Sequence, residues 1–235
     1  MELTDEQMEV LIELLELLTE IRKETGDLPE APVNVDNSGE HPSLKYPSIF
    51  FDEIRSMFAG NKLTAKQVSG IETKLEVFVR SDNPLSHSAY KLATSFHETA
   101  QRMQPVREGL SASDNWRKKN LRYYPWYGRG DVQLTWETNY RKVDEEFGLG
   151  GALILNPDKA LETELSAKVL DRGLEKGWFG PKPLNNYLPR PVASHEEFRQ
   201  ARRTVNIMDK AELIASYADK FQSALLKGGY KGKVV

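Results

Sequence analysis

Six apolar side chains, Ala89, Leu92, Ala93, Phe96, Ala100 and Met103, recur at helical spacing and share one face of a helix. Asn83-Pro84 sets its start, and Pro105 must end it, because proline has no N–H to donate and clashes with the preceding turn. The same signature recurs along the chain. Ser48 to Phe58 is an apolar segment closed by Gly60, and Thr64-x-x-Gln67 reads as a capping box for a helix reaching about Val79. Thr135 to Phe147 reads as a helix stopped by Gly148-Leu149-Gly150-Gly151, and Asp158 opens another reaching Lys176. Ser194-x-x-Glu197 caps a short helix, and Asp209-x-x-Glu212 caps a last one ending near Gly228. No period-2 run of β-branched residues competes, so the expected fold is mostly α with at most a short β-hairpin, for which Val132 to Leu134 is the candidate strand.

The first 30 residues carry ten Asp/Glu against two Lys/Arg, so a net charge of −3 conceals an acidic head and a mildly basic body. An excess of five positive charges over residues 31–235 is too weak to argue for nucleic acid, but it suits approach to an anionic polymer such as a cell wall. Cysteine is absent, which excludes a disulfide framework, a thiolate zinc site and a cysteine nucleophile. The N-terminus lacks the pattern of a signal peptide, and no apolar run is long enough to span a bilayer. These features predict a soluble cytosolic protein with no stable membrane insertion.

Within the acidic head, Thr4-x-x-Gln7 caps an amphipathic helix on which Met8, Leu11, Leu15 and Leu18 alternate at three and four, ending at Gly26. That stripe either docks on its own domain or mediates self-association or anchoring to a partner through residues 4–24. Pro29, Pro32, Pro42 and Pro47 mark residues 27–47 as a linker, so the organisation expected is a helix at 1–26, a linker at 27–47 and a catalytic body at 48–235.

The chemistry concentrates between His97 and Tyr140. Two carboxylates, Glu98 and Glu108, stand ten residues apart, followed by Gly128-Arg129-Gly130 and by Trp116, Trp126, Trp136 and four tyrosines. Flat amphipathic rings suit pyranose faces, and they equally suit a core or an interface. By helical geometry Glu98 lies opposite the apolar stripe, which leaves two readings open: a solvated glutamate, or one lining a cleft where the loop after Pro105 folds back. His97-Glu98-x-x-Gln101 lacks the second histidine of a zinc helix, and His41, His87 and His195 are scattered, so no metal or cofactor is expected. Phosphate-loop and nucleophile-elbow motifs are missing as well. A pair of carboxylates is what glycoside hydrolysis requires, one to protonate the leaving oxygen and one to activate water or attack carbon.

Ala93 through Arg107-Glu108, followed by Tyr127-Gly128-Arg129-Gly130-Asp131-Val132-Gln133-Leu134-Thr135-Trp136-x-x-Asn139-Tyr140, resembles the family 19 glycoside hydrolases, which join plant-type chitinases to bacteriophage endolysins of the lysozyme superfamily. The resemblance covers residues 48–227 and implies a lysozyme-like helical domain that inverts the anomeric centre. It implies Glu98 as general acid, Glu108 as general base and Thr135 as the hydroxyl that helps hold the attacking water. His97, Tyr127, Arg129, Gln133, Trp136, Asn139 and Asn206 fall at or beside its sugar-contacting positions. On this basis Glu98 should be raised in pKa by burial under the loop, Glu108 should stay charged, and their carboxyl groups should stand roughly 6.5–9.5 Å apart to admit a water.

Two departures stand out. Asp131 occupies a place where an apolar or aromatic residue is expected, and Ile207 follows Asn206 where glycine is usual. The lack of cysteine points toward the phage branch. The resulting expectation is an endolysin of the bacterial host cytoplasm that reaches the periplasmic wall after release by a holin. It would cut the β-1,4 bond between N-acetylmuramic acid and N-acetylglucosamine in peptidoglycan glycan strands. The alternatives are a chitinase, and a virion component whose N-terminal helix docks the domain onto an assembly.

Overall fold

The computed structural model describes residues 41–205 and 208–234; the N-terminal helix expected at 1–26, most of the linker, and Asn206 lie outside the described residues. The element order is α1 (Pro47–Ile54), α2 (Ala65–Arg80), α3 (Leu85–Glu98), β1 (Val106–Arg107), α4 (Asp114–Asn120), β2 (Arg129–Gly130), α5 (Glu137–Glu146), α6 (Ala152–Leu155), α7 (Thr163–Glu175), α8 (His195–Ala201) and α9 (Ala211–Lys227). Among the described residues the fold is therefore mostly helical, with one antiparallel pair in which Val106 opposes Gly130 and Arg107 opposes Arg129. Among the described residues no helix is long and apolar enough to cross a membrane.

The amphipathic reading of α3 understates its burial. Every residue from Leu85 to Phe96 is buried, which makes α3 the axis on which α9 packs, with α1 and α8 against α9 and α2 against α7. The Phe96 ring meets Phe58, Tyr217 and Phe221 edge-on at centroid distances of 5.2, 4.8 and 6.0 Å. A helix buried all round must satisfy its polar side chains internally. Lys91 accordingly donates to Asn83 Oδ1, Asp171 Oδ1 and Glu175 Oε1 at 2.8, 2.7 and 2.6 Å, and His87 Nδ1 meets Glu175 Oε1 at 2.7 Å. Burial alone would push the Glu175 carboxyl up, but His87 and Lys91 outweigh it and hold it down at about 2.

A second buried pair joins the helices to the hairpin. Lys74 Nζ on α2 lies 2.8 Å from Asp131 Oδ1, both side chains fully buried, and it also donates to the carbonyls of Gly70 and Met103. Asp131 accepts from Ser95 of α3 and Ser166 of α7, and its own N–H donates to Ser166 Oγ. Gly130 sits where it does because its φ is +87° and a Cβ there would lie 2.9 Å from Ser166 Oγ.

Side-chain capping fixes the start of α2, α4 and α8, whereas the other α-helices of the described residues begin without a side-chain cap. The capping boxes at Thr64/Gln67 and Ser194/Glu197 form as their spacing predicts. Five expectations are corrected. First, α3 stops at Glu98, not at Pro105: Thr99 Oγ1 donates to Ser95 O and accepts from Met103 N, and Ala100, Gln101 and Met103 take positive φ. Second, the strand is Arg129–Gly130; of the expected Val132 to Leu134 only Leu134 bridges, back to Arg129, because Gln133 turns the chain at φ 56°. Third, Asp209 does not cap α9, which begins at Ala211 after a left-handed Lys210 with no side-chain cap. Fourth, the helix expected from Asp158 is two, a 3-10 turn at Pro157–Leu161 and α7, separated by an extended Glu162. Fifth, the linker ends before residue 47: Ser43 and Leu44 are fully buried, Leu44 bridges Tyr230, and Lys231 N donates to Ser43 O. The glycine- and lysine-rich C-terminal segment is thereby stitched to the front of the body.

Lys74→Met should lower stability by about 3–5 kcal/mol in urea unfolding, because it leaves Asp131 a buried unpaired charge; a loss below about 1 kcal/mol would show the pair is dispensable. For Glu175, a folded-state pKa below the ordinary 4.5 means its contribution is complete above pH 4.5 and is lost as pH falls toward 2. Glu175→Gln should therefore flatten the stability difference between pH 5 and pH 3, by about 1–3 kcal/mol, relative to the parent chain.

Candidate active site

The hairpin fixes Glu108 at both ends of the residue. Its backbone N–H donates to Gly128 O at 2.7 Å, and the Arg117 guanidinium donates from Nε to Glu108 O and from Nη2 to Gly109 O. Its carboxylate accepts from Gly128 N at 2.9 Å on Oε2 and from the Tyr123 hydroxyl at 2.6 Å on Oε1. That hydrogen bond, with some burial, pushes the Tyr123 phenol up to about 12, so it remains a donor across the neutral range. Gly128 can be nothing larger without displacement: a Cβ there would stand 2.7 Å from Gln133 Oε1 and 3.2 Å from Glu108 Oε2.

Gln133, Thr135 and Asn139 form a connected series beside this carboxylate. Gln133 Nε2 donates to the carbonyls of Val106 and Gly130, Thr135 Oγ1 donates to Gln133 O at 2.7 Å, and Asn139 Nδ2 donates to Thr135 O at 2.9 Å. Trp136 follows with its ring 44% exposed, Tyr123 edge-on at 5.0 Å and the Arg122 guanidinium 5.2 Å from its centre. The structure thus brings Glu108, Gln133, Thr135, Trp136 and Asn139 into one neighbourhood.

Glu98 is the last residue of α3, partly exposed, and its Oε1 accepts from Arg202 Nη1 at 3.0 Å. Arg202 is itself buried and anchored through Nε to Asp209 O. The loop after Pro105 was expected to enclose Glu98, but the group set against it is this guanidinium, from 104 residues further along the chain. His97 is half-buried; burial lowers its imidazole pKa and Arg202 adds to this, against an opposing pull from Glu98.

Two residues expected to touch sugar are nearly buried, although Tyr127 also lines the cleft beside the loop. Tyr127 and Arg129 are only 2% and 4% exposed. The Arg129 guanidinium lies 3.6 Å from the centre of the Tyr127 ring, donates from Nη1 to Pro125 O and Tyr140 Oη, and pairs through Nε with Asp158 at 2.8 Å. A planar cation that packs on a ring and feeds several carbonyls organises a loop better than it binds a ligand. Asp131, which stands where an apolar or aromatic residue is expected, is fully buried beneath the loop with its carboxylate engaged by Lys74, Ser95 and Ser166. Asp114 is exposed and accepts from the Tyr124 hydroxyl.

A cleft of about 520 Å³ opens beside the loop, lined by Arg102, Arg107, Leu110, Asp114, Arg117 and Asp158 among others, and neither Glu98 nor Glu108 lines it. Among the described residues no group of three or more His, Asp or Glu side chains is placed to hold a metal ion. No family model matches the chain, and no curated protein or solved structure matches it. Tyr123 and Arg202, which hold the two candidate carboxylates, and Arg117, which holds the Glu108 backbone, have no sequence motif to mark them; Tyr123 could be noticed only as one ring of an aromatic-rich window.

Gly128→Ala should destabilise the loop by about 1–3 kcal/mol through overpacking, read by urea unfolding. Tyr123→Phe removes only one oxygen and should cost about 1 kcal/mol. Equal stability of Gly128→Ala and the parent would mean that Gln133 and Glu108 yield freely.

Proposed function

We propose that this protein is a peptidoglycan-degrading glycoside hydrolase with a lysozyme-like helical fold. It cuts the β-1,4 bond between N-acetylmuramic acid and N-acetylglucosamine with inversion and serves as an endolysin in host cell lysis. The observation that carries this reading is the setting of Glu108, partly exposed and accepting from Tyr123 and Gly128 while Trp136 presents an exposed ring beside Tyr123. A carboxylate held by two neutral donors is aimed without being neutralised by a cation, which suits a base that must take a proton from water.

In this reading Glu98 is the acid. Arg202 engages its Oε1, and Oε2 has no hydrogen bond among the described residues, so that oxygen can carry a proton to the glycosidic oxygen. As the bond to the leaving sugar breaks, a water attacks the anomeric carbon from the opposite face and gives its proton to Glu108. Thr135, whose hydroxyl hydrogen is directed to Gln133 O, offers its oxygen lone pairs to that water. Gln133, Asn139 and Trp136 are the sugar-contacting candidates that remain accessible, and His97 borders the acid. The likeness of the 93–108 and 127–140 segments to the family 19 hydrolases supports the same roles, and the lysis route through a holin follows from the phage-branch reading.

The test is loss of turbidity of outer-membrane-permeabilised Gram-negative cells, with chitin oligomers as a parallel substrate. Glu98→Gln should abolish clearing, Glu108→Gln should cost several orders of magnitude, and Thr135→Ala about 10- to 100-fold. Full activity of Glu98→Gln would remove the proposed acid. Cleavage of chitin oligomers with no clearing of cells would move the substrate from peptidoglycan to chitin.

A further inference from the structure

The cleft beside the hairpin has a charge arrangement that the hydrolytic reading does not use. Asp158 is shared between Arg107, at 2.6 Å, and Arg129, at 2.8 Å, and although burial pushes its carboxyl up, the two arginines hold it below the usual range. Arg102 lines the same cleft with no side-chain partner among the described residues. Arg117 is 95% buried, yet its partners are the neutral carbonyls of Glu108 and Gly109 and the face of Tyr127 at 5.2 Å, with no carboxylate. Two of the five N–H groups of that guanidinium are used in these hydrogen bonds, so three are available to a ligand or to water. Three guanidiniums, Arg102, Arg107 and Arg117, therefore line the cleft with two carboxylates, Asp158 and Asp114; the latter is engaged by Tyr124, and the former is already paired with the buried Arg129 behind it. Val106 and the half-exposed Leu110 add an apolar wall.

We propose that this cleft is a second binding site, for a short peptide bearing carboxylates. Guanidiniums take carboxylates in paired, charge-assisted hydrogen bonds, and a cleft of about 520 Å³ has the size of a small-ligand site. The mixture of arginine forks with an aliphatic wall fits a peptide better than a bare inorganic anion. The turn that carries Glu108 is the turn Arg117 holds, so a glycan strand at Glu108 brings the acidic peptide stem branching from its muramic acid to this cleft. That identity of the peptide's source rests on the muralytic reading; the chemistry of the cleft does not.

The decisive experiment is calorimetric titration of the full chain with the tripeptide L-alanyl-γ-D-glutamyl-meso-diaminopimelate, its fully amidated analogue, and glutarate. The tripeptide should bind, the amidated analogue should bind at least about tenfold more weakly, and Arg102→Ala combined with Arg107→Gln should weaken the tripeptide by about tenfold or more. N-acetylglucosamine tetramer binding serves as a control that should be unchanged in the double variant. Absence of tripeptide binding, or equal binding by the amidated analogue or the double variant, overturns the site. Glutarate binding as tightly as the tripeptide overturns the peptide assignment in favour of free dicarboxylates. Peptide binding by a chain that clears no cells would leave the cleft standing and remove only the muralytic reading.

Discussion

The buried pair of Lys74 and Asp131 is the constraint from which the arrangement of this fold follows. Removing two charges from water costs several kcal/mol each, and the cost is offset only where geometry and further hydrogen bonds are good. Here the ammonium also feeds the carbonyls of Gly70 and Met103, and the carboxylate also accepts from Ser95 and Ser166. One carboxylate thus ties α2, α3 and α7 to the end of β2. Any other placement of the loop strands a charge in the interior, so the position of the hairpin relative to the end of α3 is set electrostatically rather than by the two-residue strand pairing, which is too short to hold itself.

Arginines then divide the work above that base. Arg129 packs on Tyr127 and braces the loop against Asp158, Arg117 holds the turn of Glu108 by its carbonyls, and Arg202 orients Glu98. Each is nearly or wholly buried, and each reaches across the fold with a planar, rigid set of donors that a lysine would not reproduce. The aromatic wealth of this region is also divided. Tyr127 and Tyr140 are interior, and Trp136 is exposed, with Tyr123 linking that exposed ring to the Glu108 carboxylate. Composition alone could not separate the rings that fill space from those that face solvent.

Much of the helical framework was legible because its causes are local. The boxes at Thr64/Gln67 and Ser194/Glu197 and the apolar spacing of Ala89, Leu92, Ala93 and Phe96 depend on residues three or four apart. The end of α3 was misplaced because a Thr99 side chain, not the downstream proline, intercepts the backbone. The strand was misplaced because Gln133 turns the chain inside a stretch that looked extended. Of the residues expected to meet sugar, Gln133, Trp136 and Asn139 stay accessible, whereas Tyr127 and Arg129 are consumed by the loop itself.

The sequence by itself determined that the described body is built mostly of helices, since periodicity and caps act within a turn or two of chain. Tertiary structure alone decided what surrounds each carboxylate. Asp131 became a buried anchor, Glu98 met Arg202, and Glu108 met Tyr123 and Gly128, through partners 36, 104, 15 and 20 residues away. The reason is that a charge chooses its partner by distance in space and by the cost of leaving water, and neither quantity has a period along the chain.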